Sequence, residues 1–210
     1  MTRSTVPRPL GRPKDGVSAE TRTRLLAVAR DAFARDGFEA TTNRLLAEGT
    51  GITTGAIYHY YASKADLYIA VYDEVQRIVF DAFEEAIAPH TSLLDRFGAA
   101  LDAAVRLNRE EPSITSFVIG VGGEARRNPE LRVLLAPMRV ANGDVLHRLV
   151  RDAVDRGELA DDVDPRALED LLNSVLAGLA RFSSHTGDAE RHARAVDVLK
   201  RFMAGNVVVR

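Results

Sequence analysis

Residues 53 to 60 hold the side chains with the clearest potential for binding chemistry. The first half of this stretch combines hydroxyls with small side chains, and the second half adds two tyrosines and a histidine. Free backbone N–H groups at the start of a helix bind phosphate, and small side chains there let the helix lie close to base edges. Interior packing is the alternative role of Tyr60. The predicted nucleic-acid contacts in this stretch are Thr53, Thr54, Gly55, Ala56, Tyr58, His59 and Tyr60.

Two short helices joined by a tight turn would present these side chains. Residues 45 to 47 supply the inward side of the first helix, and residues 49 to 51 form the turn. Ile52 follows the turn as an apolar residue of the interior. Thr53 is a favourable N-cap, so the second helix is predicted to run to about Tyr60. This order of elements is a helix-turn-helix signature.

Another helix is predicted before this pair, over about residues 19 to 36. Its apolar residues follow helical spacing, Ser18 is available as its N-cap, and Gly37 as a left-handed stop. Phe38 can then fold back on Phe33. The three helices are expected to form a DNA-binding domain over residues 18–63. Its predicted interior contains Leu26, Phe33, Phe38, Leu46, Ile52, Ile57 and Tyr61.

Charge is distributed unevenly along the chain. Residues 1 to 64 contain 10 Lys and Arg against 6 Asp and Glu, and residues 65 to 210 contain 18 against 24. The first part therefore carries +4 and the second −6, so only the first part should approach a polyanion. Residues 1 to 17 are predicted to be a flexible basic arm. Within it Arg12, between Gly11 and Pro13, could lie in a minor groove, or the arm could be a solubilising tail.

Residues 64–210 are expected to form a larger helical domain. A helix capped by Ser63, with Asp66 three residues later, should run to Pro89 and form a rod of nearly 40 Å that links the two domains. A second helix is predicted over about residues 92 to 110.

The next stretch, residues 114 to 125, is the least helix-like of this domain. Its end formally fits the nucleotide-binding pattern G-x-G-x-x-A, but the strands required by that motif are missing. We expect the glycines instead to loosen a helix at the wall of a ligand pocket. One long helix is predicted over residues 128 to 157, kinked at Pro137. The predicted pocket residues are Phe83, Phe97, Leu101, Phe117, Val118, Val121, Leu134, Met138, Asn142 and Leu176.

Two further helices, after Asp164 and from about Ala189, carry more apolar surface than one core needs. Such a surface suggests a partner. The predicted residues of this interface are Leu168, Leu172, Val175, Leu179, Phe182, Val198 and Phe202.

Several classes of function are disfavoured by the composition. The chain has no cysteine, which excludes disulfides, thiol nucleophiles and cysteine-based metal sites. Its five histidines form no i, i+4 pair, and neither a phosphate-binding loop nor a nucleophile elbow is present. We therefore expect no catalytic residues, metal or cofactor. We find no apolar run that could span a membrane and no signal peptide, so a cytoplasmic location is expected.

The region from Arg22 to Leu67 resembles the N-terminal domain of the tetracycline-repressor (TetR) family of bacterial transcription regulators. The shared pattern includes Gly37-Phe38, Thr41-Thr42, Leu46-Ala47, Gly51-Ile52-Thr53 and Gly55-Ala56-Ile57-Tyr58-His59-Tyr60-Tyr61. Departures from the pattern occur at three interior positions, Leu46, Thr50 and Tyr61, which puts packing details in question.

The resemblance implies an all-α homodimer of about nine helices per chain that binds operator DNA and a small, largely apolar effector. It further implies phosphate contacts at Thr42 and Lys64, with Asn43 and Arg44 beside the major groove. It also implies a dimer interface formed by the last two helices. Two alternatives are a constitutive architectural DNA-binding protein without an effector and a helical enzyme with its site within residues 110 to 150.

Overall fold

The computed structural model describes residues 14–141 and 144–207, and every regular element in those ranges is an α-helix. This confirms the all-α fold class. The ten helices are α1 Lys14–Ala40, α2 Asn43–Thr50, α3 Thr54–Tyr60, α4 Lys64–Ile87, α5 Leu93–Glu110, α6 Pro112–Arg127, α7 Pro129–Ala141, α8 Asp144–Asp155, α9 Pro165–Thr186 and α10 Ala189–Met203.

The first helix is longer than predicted and is interrupted where the sequence predicts a stop. It begins at Lys14, more than a turn before the expected start, because no proline follows until well beyond its end. Gly37 has φ 80° and ψ 175°, a conformation outside the helical region. The chain reverses enough there for the ring of Phe38 to stack on that of Phe33, with 6.0 Å between centroids. The predicted contact between these two phenylalanines is therefore confirmed.

The stretch predicted to be poorly helical is a regular helix. In α6, Ile114, Phe117, Val121 and Ala125 recur every three or four residues and are all buried. Packing of this apolar face outweighs the low helix propensity of the glycines. The glycine-rich motif lies within the helix, so it does not form a nucleotide-binding loop.

The single helix predicted over residues 128 to 157 corresponds to two described helices, α7 ending at Ala141 and α8 running from Asp144 to Asp155. Residues 142 and 143 between them lie outside the described residues, so the continuity of this helix stays a prediction. Pro137 lies inside α7, and the predicted N-cap Asn128 accepts a hydrogen bond from the backbone N–H of Leu131 at 3.2 Å.

The largest hydrophobic core crosses the predicted domain boundary. It runs from Leu25 in α1 to Leu135 in α7 and includes buried residues of α2, α3, α4 and α6. A second core joins α5, α8, α9 and α10 around Phe97, Leu149 and Val196. Of the three N-terminal helices, α1 packs directly against α4 and α6, and α2 and α3 join the same core.

Candidate nucleic-acid interface and effector cavity

Local hydrogen bonds set the geometry of the α2–turn–α3 unit. The hydroxyl of Thr42 accepts from the N–H of Leu45, and that of Thr53 accepts from the N–H of Ala56, each at 3.2 Å. Between the helices Gly51 adopts a left-handed conformation with φ 73°. These caps and the turn fix the angle at which α3 leaves α2.

A buried polar residue closes the interior of this unit. Thr50, which departs from the family pattern, is 3% exposed, and its hydroxyl donates to the carbonyl of Leu46 at 2.7 Å. Its own carbonyl accepts a hydrogen bond from Nε of Arg24 at 2.9 Å. The polar group is therefore satisfied without water. Leu46 and Tyr61, the other two departures, are also buried.

The outer surface of α3 carries most of the predicted contacts. Thr53, Thr54, Gly55, Tyr58 and His59 are exposed. Ala56 and Tyr60 are half-buried. Tyr60 therefore has part of the packing role that was the alternative for it. Thr53, Thr54 and Gly55 surround the N-terminus of α3, where free N–H groups point outward, and Tyr58 and His59 lie about one turn later on the helix.

The preceding helix contributes two further side chains beside this surface. Nδ2 of Asn43 donates to the hydroxyl of Tyr58 at 2.9 Å, which links α2 to α3. Arg44 is exposed and pairs with Glu48 one turn later, with 2.9 Å between Nε and Oε1. Thr42 is exposed as well.

Lys64 has a different environment from the one predicted. Its ammonium donates to the carbonyls of Phe38 at 2.7 Å and Thr41 at 2.9 Å, and it lies 4.4 Å from the centre of the Phe38 ring. The side chain therefore connects the start of α4 to the last turn of α1 and to Thr41, the residue that follows this helix. Its predicted contact with phosphate stays a prediction.

A cavity of about 500 Å³ lies among α4, α5, α6, α8 and α9. Four of the predicted pocket residues line it: Phe83, Val118, Val121 and Leu176. The apolar wall also includes Val79, Phe80 and Leu146. A cavity of this size and lining is typical of a small-molecule site.

Of the other predicted pocket residues, Asn142 lies outside the described residues, and the remaining five lie away from this cavity. Phe117 packs against the ring of Tyr68, with 5.0 Å between centroids, because its side of α6 faces the N-terminal helices. Phe97 and Leu101 belong to the second core, and Leu134 and Met138 pack against the first.

A polar wall of the cavity was not predicted from the sequence. Arg166, Glu169, Asp170 and Asn173 lie on one face of α9, and Gln76 of α4 lines the cavity too. The guanidinium of Arg166 lies 3.9 Å from the carboxylate of Glu169 and 3.8 Å from that of Asp170. The spacing i, i+3, i+4, i+7 was a usable signal, since it places all four residues of α9 on a single stripe.

Helix α6 has one face on the cavity and another on the N-terminal helices. On the side that faces α1, the contact is made by Arg30 of α1, which is 9% exposed. Its guanidinium lies 2.5 Å from the carboxylate of Glu111 and donates to the hydroxyl of Ser113 at 3.1 Å. At the other end the buried carboxylate of Glu124 accepts from Arg127 at 2.6 Å. Helix α4 has the same double role, since Tyr72 belongs to the first core and also lines the cavity.

Most predicted dimer-interface residues pack within their own chain. Leu172 is buried, and Leu168, Val175 and Leu179 are half-buried against the second core, because α5, α8 and α10 cover this face of α9. The ring of Phe182 lies 5.2 Å from the guanidinium carbon of Arg191.

The exposed apolar side chains of the last two helices form a smaller set. Val198 is 50% exposed and Phe202 65%, as a dimer interface requires, and Leu171, which was not predicted, is 57% exposed. We call Leu171, Val198 and Phe202 the terminal apolar surface. Leu171 lies about 100° around α9 from the buried Leu172, at the edge of the same broad apolar face, and that breadth was the available signal.

The described ranges also bear on membrane insertion and metal binding. No helix there is long and apolar enough to cross a membrane. In the same ranges no group of three or more His, Asp and Glu side chains is placed to hold a metal ion.

Two family profiles match the chain. One describes bacterial regulatory proteins of the tetR family and matches residues 25–71. The other describes the C-terminal part of BetI-type transcriptional repressors and matches residues 94–207, more than half of the chain. The two profiles thus match separate parts of the chain.

Individual proteins agree with these profiles. The chain is 26% identical over 192 residues to the HTH-type transcriptional regulator UidR of Escherichia coli K12, covering 88% of this chain and 92% of UidR. The structure of GusR from Salmonella enterica is similar, with a TM-score of 0.70, 26% identity and coverage of 90% and 95%. FadR from Bacillus subtilis in complex with stearoyl-CoA shares the fold, with a TM-score of 0.75, 16% identity and coverage of 89% and 99%. The chain belongs to the TetR family of bacterial transcriptional regulators.

Proposed function

We propose that this regulator is a repressor that binds a palindromic operator as a homodimer and is released when an amphipathic effector enters the cavity. The observation that carries this proposal is that α4 and α6 line the cavity and also support the DNA-binding helices. An effector that fits the cavity better in one arrangement of these helices favours that arrangement.

The exposed N-terminal half of α3 is the proposed DNA-reading element. Small side chains at Gly55 and Ala56 let the helix approach base edges, and the hydroxyls of Thr53, Thr54 and Tyr58 can bond phosphates or bases. In a homodimer two such helices must lie about 34–36 Å apart, or a multiple of this, to enter major grooves on one face of DNA.

The proposed coupling passes through contacts already described. Movement of α6 away from the cavity acts on α1 through the Arg30 contacts and the packing of Phe117 on Tyr68. Movement of α4 acts directly on α3, because only a short segment separates them. The effector can weaken DNA binding by no more than the ratio of its affinities for the two arrangements.

The lining of the cavity has an apolar part and a charged part, which refines the expected effector. Apolar side chains of α4 and α6 form most of its wall, and the charged stripe of α9 forms the remainder. An amphipathic molecule matches this lining better than a purely apolar one. FadR of Bacillus subtilis, described with stearoyl-CoA, provides an example of a related fold that binds a molecule of this kind.

The relatives are named as regulators, and we propose that this chain likewise acts by binding rather than by turnover. A regulator of bacterial operators works where the chromosome is, so a cytoplasmic location remains our prediction.

The first test is selection of bound duplexes from random DNA by the purified protein. We expect enrichment of one palindrome whose half-site centres are separated by about 10 base pairs or a multiple. Enrichment should be lost in Tyr58→Ala and kept in Val133→Ala, since Val133 is 69% exposed on α7. Failure of the wild type to enrich any sequence would refute the specific-operator proposal.

The second test separates an effector-controlled repressor from a constitutive DNA-binding protein. Val118, which lines the cavity and is 38% exposed, is changed to tryptophan to fill the space. We expect operator affinity within about twofold of wild type, but loss of release by compounds found in a thermal-shift screen. Val133→Trp is the matched control and should keep the response. Equal release of both variants would show that the cavity is not the effector site.

A further inference from the structure

His192 of α10 is buried without a hydrogen-bond partner for one ring nitrogen. The residue is 2% exposed, and its Nδ1 has no partner. Its side chain lines a second void of about 30 Å³, together with Leu101, Leu179 and Val196. Buried polar atoms in folded proteins are rarely unpaired, so this nitrogen requires an explanation.

The second void adjoins the effector cavity. Ala104, Thr115, Leu176 and Ala180 line both spaces. Two of these shared residues are alanines, which leave little side chain between the spaces. A void of this volume holds about one water molecule or one small terminal group of a ligand.

The surroundings of His192 restrict the group that can enter. Burial lowers the pKa of its imidazole, and the neutral ring offers one donor and one acceptor. Thr115 is the other polar residue among those lining this void, and no charged side chain is among them. An ion would lie there without a counter-charge, whereas a hydroxyl or carbonyl could pair with the ring.

We propose that His192 is a specificity-determining residue of the effector site and binds an uncharged hydroxyl or carbonyl at the inner end of the effector. The proposal rests on the proposed function, because it assigns the ligand of the same cavity. The outer polar group of that ligand would meet Asp170 or Asn173. Along α9 these residues lie seven to ten positions before Ala180, or about 10–15 Å.

A matched pair of probes tests the inner contact. Decan-1-ol has one hydroxyl for the outer polar wall, and decane-1,10-diol has a second one for His192. The ratio of their affinities, measured by calorimetry, isolates the inner hydroxyl from the rest of the ligand. In wild type we expect the diol to be favoured. In His192→Leu we expect its relative affinity to fall about tenfold, the effect of a buried hydrogen bond.

Two variants and one NMR experiment distinguish a direct contact between His192 and the ligand from a purely structural role of this residue. His192→Asn keeps a hydrogen-bonding group near the position of Nδ1 and should restore part of the preference for the diol. His90→Leu, at an exposed histidine after α4, should behave like wild type. In wild type with ¹⁵N-labelled histidine, the diol should shift the ring-nitrogen resonances of His192, and decan-1-ol should not.

The outcomes separate this proposal from the one on which it rests. If both alcohols bind and the ratio is the same in wild type and His192→Leu, or if the ring resonances stay unmoved, the role of His192 is overturned and the cavity remains the effector site. If neither alcohol binds wild type, the amphipathic effector site itself is overturned, and the role of His192 with it.

Discussion

The side chain of Lys64 shows how one residue can belong both to the fold and to a binding surface. Its two short hydrogen bonds reach the carbonyls of Phe38 in the last turn of α1 and of Thr41 just after it. A third, longer hydrogen bond of 3.4 Å reaches the carbonyl of Glu39. We propose that the N–H of this weakest bond turns to a phosphate when DNA is bound.

We predict two separable effects of Lys64→Ala. Loss of the carbonyl contacts should lower the free energy of unfolding by about 1–2 kcal/mol, measured in urea. Loss of one phosphate contact should weaken binding to all duplexes and reduce the slope of log affinity against log salt by about one. Lys200→Ala, which removes a lysine paired with Asp102 on the body, should leave the slope unchanged. A normal slope with lower stability would make Lys64 purely structural.

At the scale of residues, the sequence predicts interactions that span a few positions. The caps Thr53 and Ser63 bond to groups three residues away, so type and spacing were sufficient. The partners of Lys64 lie 23 to 26 positions away, and those of Arg30 lie more than 80 away in Glu111 and Ser113. Contacts of this length depend on how helices pack, which side-chain pattern alone does not determine.

Helices α1 and α6 lie close together at Gly37. A Cβ placed there would lie 2.9 Å from Oε1 of Glu124, whose side chain is buried. The backbone at Gly37 also occupies a region of positive φ and extended ψ that is open almost only to glycine. Gly187, at the end of α9, has φ 62° and no heavy atom near such a Cβ.

These two glycines give a matched pair of substitutions for the α1–α6 contact. Gly187→Ala should cost about 1 kcal/mol of stability, the usual penalty for a left-handed alanine. Gly37→Ala should cost roughly 2–3 kcal/mol, because its backbone is more restricted and Glu124 must move. It should also change effector-induced release from DNA, measured by fluorescence anisotropy. Equal losses of stability would show that the contact with Glu124 is unimportant.

At the scale of helices, periodicity predicted which faces are buried but not which neighbour covers them. Val118 and Phe117 are adjacent apolar residues of α6, yet the first faces the cavity and the second faces Tyr68. The polar stripe of α9 was overlooked because charged residues at helical spacing usually face solvent. Only the packing of α9 beside α4 and α6 gives that stripe a cavity to face.

For the whole molecule, the terminal apolar surface is an apolar region of the last two helices that the chain itself leaves uncovered. Exposed phenylalanine and valine on adjacent turns of α10, together with Leu171 on α9, match the apolar centre of a subunit interface. An isologous dimer through α9 and α10 would bury them and hold two α3 helices at a fixed separation.

We predict that Val198→Asp combined with Phe202→Asp converts the protein to a monomer in sedimentation velocity experiments. Operator affinity should fall by at least about a hundredfold, because two linked DNA-binding helices gain from effective concentration. The helical circular dichroism spectrum should be unchanged. Val133→Asp, at an equally exposed residue of α7, should remain dimeric. A dimeric double variant would place the interface elsewhere.

Because α4 and α6 line the cavity and also pack against the N-terminal helices, binding of the effector and binding of the operator are coupled. This coupling affects the sensitivity of the regulator to its effector. Linkage is reciprocal, so the factor by which the effector weakens operator binding equals the factor by which the operator weakens effector binding. A chain held on DNA therefore senses less of the effector than a free one. With few operators and many copies of the protein, the free copies would bind the effector first, and the threshold for induction would rise with the amount of regulator in the cell.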